Sequence, residues 1–135
     1  MAEGFARRYG SDVMTCESAG LAPAAIVQSL TKKVMEAKNI RLDDHYPKNL
    51  EQIDLASFDL MINMSGRPLP DRLPIEMRQW KIEDPIGQSE ELYITVCDQI
   101  EYLVMQLILE FRREARKTAS PNQDRRFFSG VVRRR

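Results

Sequence analysis

The chain has 135 residues, 43% hydrophobic and 30% charged, with zero formal net charge, two cysteines and one histidine. That is one globular domain's worth of chain, large enough to bury a core, with no run of ~18 apolar residues to cross a membrane. It has no basic-then-apolar signal peptide, and Cys16, Cys97 and His45 fit neither a disulfide framework nor a zinc spacing. The expected setting is the cytoplasm, and no metal or cofactor is expected.

The zero charge hides an asymmetry. Residues 1–110 carry 11 Lys/Arg and 18 Asp/Glu, a balance of −7; residues 111–135 carry 9 and 2, a balance of +7. The basic end has little apolar periodicity and no interleaved aromatic pattern that would read bases. Residues 114–135 are therefore expected to be a disordered, solvated tail, and deleting residues 118–135 is expected to leave the melting point almost unmoved. Nucleic acid is not an expected partner, nor is a membrane.

In chain order, "MAEGFARRYG" places Ala2, Phe5, Ala6 and Tyr9 at helical spacing, with Gly10 as a stop. Nothing stands before this helix to cap its first N–H groups. "SDVMTCESAGL" reads as a short strand through Val13, Met14 and Cys16 that ends in a small-residue loop. "SLTKKVMEAKN" reads as a helix burying Leu30, Val34 and Met35. A loop follows, with a short helical piece near Leu50 to Ala56. "FDLMINMSG" is a nearly continuous apolar run, as expected of a strand covered on both faces. A proline-rich loop, "RPLPDRLP", leads to a strand expected around Gln79 to Ile82 and stopped by Pro85 and Gly87. From Ser89 onward, Leu92, Val96, Cys97, Ile100, Leu103, Val104, Leu107, Ile108 and Phe111 keep an i, i+3/i+4 rhythm. Ile100, Leu103, Val104 and Leu107 are expected to be buried against a sheet; a coiled-coil seam is the alternative.

Strands alternating with helices imply an α/β layered domain with a mainly parallel sheet. Ligands of such sheets bind outside the carboxyl ends of the strands. Those ends read "ESAGL", "MSGRPLP" and "EDPIGQ", each with a Gly and a small or acidic residue.

"MAEGFARRYG", "SAGL", "FDLMINMSG" and "WKIEDPIGQSEELY" ahead of a long helix resemble, in order, the low-molecular-weight protein tyrosine phosphatases and the related arsenate reductases. The resemblance runs from Met1 to about Arg113. It implies a flavodoxin-like parallel sheet flanked by helices over residues 1–113. Members of the family begin with a hydrophobic strand and a Cys-x5-Arg phosphate-binding loop, and only then reach the helix that here opens the chain. By that comparison the first, central strand is absent, and two neighbouring strands must close on each other or leave a slot lined by Val13, Leu60 and Ile62. Met1 coincides with a Met the family often carries inside its helix, which implies a true start upstream.

Neither Cys16 nor Cys97 is followed by an Arg six residues on, and both are expected to be buried structural thiols. The resemblance assigns one catalytic role to this sequence: Asp84 of Asp84-Pro85 as general acid. An Asp-Pro pair also commonly opens a turn. Two features divide the substrate class. Ile86 and Gly87 after Asp-Pro lie closer to the arsenate reductases than to the aromatic form of the phosphatases. "NMSGRPLPDRL", however, lacks the resolving cysteines of thioredoxin-linked arsenate reductases. The first expectation is a phosphatase-like protein acting on a phosphorylated protein or a small phosphate or arsenate oxyanion, inactive without the nucleophile loop. An arsenate reductase served by an external small thiol, or a non-catalytic remnant acting by binding, are the alternatives.

Overall fold

In the computed structural model, residues 1–20, 29–43, 45, 49–69 and 74–118 and the backbone of 125–130 are described. The elements in chain order are α1 (Ala2–Tyr9), β1 (Met14–Ala19), α2 (Ser29–Glu36), β2 (Leu60–Asn63), β3 (Glu76–Gln79), α3 (Glu90–Thr118) and β4 (Arg125–Gly130). Two short 3-10 turns, Leu50–Gln52 and Leu55–Ser57, stand where a helical piece is expected. The four strands form one parallel sheet in the order β1-β4-β2-β3.

The α/β layering follows from the apolar patterns. All four β2 residues are buried, as a strand covered on both faces requires. On α3, Val96, Cys97, Ile100, Val104, Ile108 and Phe111 form the buried stripe, in one core cluster with Phe5, Ala6, Met14 and Ile62. By length and composition α3 could cross a membrane, but here that stripe packs within the domain core. Leu103 departs from expectation: it lies at the margin of the core, half-buried, beside Ile100 and Val104, which are fully buried. Ion pairs tie α3 to the turns that follow α2 and α1. Lys38 Nζ meets Asp98 at 2.8 Å and Glu101 at 3.0 Å, and the Arg112 guanidinium grips Asp12 through two contacts of 2.9 and 3.0 Å.

The α1 helix begins without a side-chain cap, as its sequence predicts. Gly10 closes it for a different reason than expected. Its φ is −124°, outside the left-handed region, yet a Cβ there would lie 2.7 Å from Ile108 Cγ1. A close approach by α3, and not a left-handed turn, requires the glycine.

Three expectations are corrected. The third strand lies at Glu76–Gln79, not Gln79 to Ile82. It pairs Leu60–Asn63 with Glu76–Gln79 in parallel register, and Trp80 N–H adds one more bond, to Asn63 O at 3.0 Å, before the chain leaves the sheet. The long helix runs on through residues 114–118. The third correction concerns the expected slot and tail. Arg125–Gly130 occupies the central position, pairing with all six residues of β1 and with Leu60 and Met61 of β2. Without it, β1 and β2 would face each other with rows of unpaired N–H and C=O groups. That unmet pairing is why a basic segment enters the sheet. Residues 119–124 and 131–135 of the expected tail, and parts of the loops at 21–28, 44–48 and 70–73, lie outside the described residues.

Candidate active site at the carboxyl edge

Because all four strands are parallel, Ala19, Gly130, Asn63 and Gln79 end at the same edge of the sheet. The loops that follow β1, β2 and β3 are the segments expected to wall a site.

After β1, the buried Gly20 bridges to Asn49 and accepts a hydrogen bond from Leu50 N–H at 3.3 Å. After β2, Asn63 organises the turn. Its side chain is buried; Oδ1 accepts from Ser65 N–H at 3.0 Å and from Ser65 Oγ at 2.7 Å, and Nδ2 donates to Arg67 O at 2.8 Å. Gly66 supplies the left-handed residue this tight path needs, at φ +72°. Beside the turn lies a hollow of about 390 Å³, lined among others by Asn63, Arg67, Trp80 and Lys81. Its two cations, Arg67 and Lys81, make a surface suited to an anion.

After β3 the chain continues to Asp84 outside any strand or helix. Asp84 is half-buried and its Oδ1 accepts a hydrogen bond from Ile86 N–H at 3.1 Å. Gln88 N–H bonds Pro85 O at 2.9 Å, and Gly87 turns the chain at φ +77°. The turn delivers Ser89, whose Oγ accepts from Leu92 N–H at 3.3 Å and caps α3. So Asp84 lies in the connection that leaves the carboxyl end of β3 for α3, with one oxygen engaged in its own turn.

Neither cysteine is at this edge. Cys16 is buried in β1, in register with Phe127 and three residues short of the strand's end. Cys97 is fully buried on α3, its Sγ 3.7 Å from Met35 Sδ. Burial pushes the Cys97 thiol up to about 11, so it holds almost no thiolate at neutral pH. Among the described residues, no group of three or more His, Cys, Asp or Glu converges as a metal site.

Residues 1–117 match the family described as low molecular weight phosphotyrosine protein phosphatase. The chain belongs to that family. Its relatives include the glutaredoxin arsenate reductase of Synechocystis sp., 30% identical over 112 residues that cover 80% of this chain and 85% of the relative. A solved arsenate reductase in the oxidized state superposes with a TM-score of 0.73 at 30% identity, covering 82% of this chain and 86% of that one. Another, in the phosphate binding state, gives a TM-score of 0.71 at 29% identity with the same coverage. The α/β fold expected of the family is thus the fold found.

One buried polar pair of this chain was not legible in its sequence. Glu3, 2% exposed inside α1, lies with Oε2 2.7 Å from His45 Nδ1. Arg7 stands 3.4 Å from the other carboxylate oxygen. The available signal was Glu3 one turn before Ala6 and Arg7, on the shoulder of an apolar face.

Proposed function

We propose that this chain is an arsenate reductase-type member of the low-molecular-weight phosphatase family, acting on a tetrahedral arsenate or phosphate oxyanion at the carboxyl edge of the sheet. The observation that carries this reading is the 30% identity to a glutaredoxin arsenate reductase over four-fifths of the chain. Ile86 and Gly87 in place of aromatic residues after Asp84-Pro85 support it. Phosphomonoester hydrolysis is the weaker reading. A cytoplasmic setting accords with a thiol-driven reduction.

In this reading Asp84 is the proton-transfer residue. A thiolate attacks arsenic, and Asp84 gives its proton to the departing oxygen. Taking As(V) to As(III) consumes two electrons, which two thiols supply as they become a disulfide. Cys16 and Cys97 are buried, and residues 63–73 contain no cysteine. In this reading the second thiol is a small external one. The family resemblance assigns the first thiolate and the oxyanion clamp to a Cys-x5-Arg loop, which the 135 residues do not contain, so on their own they are expected not to turn an oxyanion over.

The test compares this chain with a longer one carrying a strand and Cys-x5-Arg loop ahead of Met1, on arsenate plus thiol and on p-nitrophenyl phosphate. The longer chain should reduce arsenate in preference to hydrolysing the aryl ester, and Asp84→Asn should slow it by ~10²–10⁴-fold. Faster ester hydrolysis than arsenate reduction would overturn the assignment, as would turnover by the 135 residues through Cys16 or Cys97.

A further inference from the structure

Arsenate reduction by this chain needs a seat for its second thiol. Each turnover converts arsenate and two thiols into arsenite, one disulfide and water, and the second thiol comes from outside. The hollow of about 390 Å³ beside the β2 turn lies where such a donor is wanted. Asn63 and Gln79, the last residues of β2 and β3, both line it, so it opens at the carboxyl edge itself. Its volume suits a small molecule. Among the described residues no carboxylate lines it, whereas Arg67 and Lys81 do. Elsewhere Lys33, Lys38, Arg78 and Arg112 each hold a carboxylate at 2.8 to 2.9 Å. The exposed side chains of Arg67 and Lys81 hold none among the described residues.

Their backbones, by contrast, are pinned. Arg67 N–H donates to Ser65 Oγ at 3.0 Å, and Arg67 O accepts from Asn63 Nδ2 at 2.8 Å. Lys81 O accepts from Gln99 Nε2 at 3.2 Å, which ties it to α3. Two unneutralised cations on anchored backbone are preorganised for a ligand with two carboxylates. The half-buried Trp80 adds an apolar wall for the ligand's carbon frame. We propose that this hollow binds a small acidic thiol, one with two carboxylates, as the external electron donor; the donor role rests on the arsenate reading, the binding site does not. The donor's sulfur, once deprotonated, bonds to the first sulfur. The sulfur–arsenic bond breaks, and its electron pair stays on arsenic, taking As(V) to As(III).

Titration of the 135-residue chain with S-methylglutathione, which has both carboxylates and no free thiol, tests the site through the fluorescence of Trp80, the single tryptophan. The signal should saturate, and the diethyl ester of the same compound, with both carboxylates masked, should bind at least ~10-fold more weakly. Arg67→Ala and Lys81→Ala should each weaken binding by ~10-fold, about the worth of one charge-assisted hydrogen bond, and Arg67→Lys by less. The proposal is overturned by no saturation up to about 10 mM, by equal affinity for the diester, or by unchanged affinity in both alanine variants. Tighter binding of inorganic phosphate than of S-methylglutathione overturns it too, since the hollow would then be an oxyanion site. The two failures are separable. A longer chain that reduces arsenate with dithiothreitol while the hollow binds no S-methylglutathione keeps the arsenate reading and loses the site. Binding of S-methylglutathione with no arsenate reduction by any thiol overturns the donor role.

Discussion

The seam between α1 and α3 and the carboxyl edge of the sheet are built by different means. At the seam Phe5 and Ala6 meet Ile100, Val104 and Ile108, all with zero exposure, and the contacts join residues about a hundred positions apart. At the edge Asn63 bonds residues two and four positions on, and Asp84 a residue two positions on. Long-range packing holds the fold together, while short-range hydrogen bonds shape the candidate site. The lesson is a division of labour: changes at the seam should cost stability, and changes at the edge should cost chemistry.

Four substitutions sharpen or break that contrast. Ile100→Ala should cost ~2–5 kcal/mol in chemical denaturation, because a fully buried side chain leaves a cavity. Leu103→Ala, from the half-buried margin, should cost about 1–2 kcal/mol; equal losses would mean α3 is not seated as described. Gly10→Ala should follow at ~1–3 kcal/mol, since the new Cβ meets Ile108 on a packed helix. Gly4→Ala should cost less, because its nearest neighbour is the flexible end of Met35.

A smaller effect belongs to Asp12. The hydrogen bond from Arg112 holds its carboxyl below the usual aspartate range. A depressed folded value stabilises the fold above the unfolded value and loses that contribution as pH falls through the folded one. Replacing Asp12 with Asn should therefore lower stability at pH 7 by at most about 0.5 kcal/mol, its side chain being largely exposed. The difference should vanish well below pH 4; an unchanged gap there would assign the loss to something other than charge. Least of all, Asp84→Asn should shift stability by no more than about 0.5 kcal/mol in a denaturant titration. A larger loss would make Asp84 a structural residue first.

Much of the fold was legible because periodicity reports burial. The 3.6-residue rhythm of α3 and the apolar run at Leu60–Asn63 each led to an element that exists. The β3 boundary slipped because Trp80 and Ile82 carry the apolar signal, whereas the paired residues Glu76–Gln79 sit on an exposed edge and owe their place to β2. β4 gave no signal: Arg-Arg-Phe-Phe-Ser-Gly is not the apolar run of a central parallel strand, and its place depends on a gap that only the assembled sheet creates. At the candidate site, the Asp84 turn was readable from Asp-Pro. The Glu3–His45 pair was not, since its two residues are far apart in the chain, and neither was Asn63, since an Asn closing an apolar run does not announce the local turn that satisfies its side chain.

Residues 125–130 complete the sheet. Hydrogen–deuterium exchange of the full chain tests it, comparing amides of Arg125–Gly130 with those of Met14–Ala19, their partners in register. Central-strand amides should exchange within about tenfold of the β1 amides, both far slower than an unstructured chain. Exchange over 125–130 at unstructured rates, beside a protected β1, would contradict it.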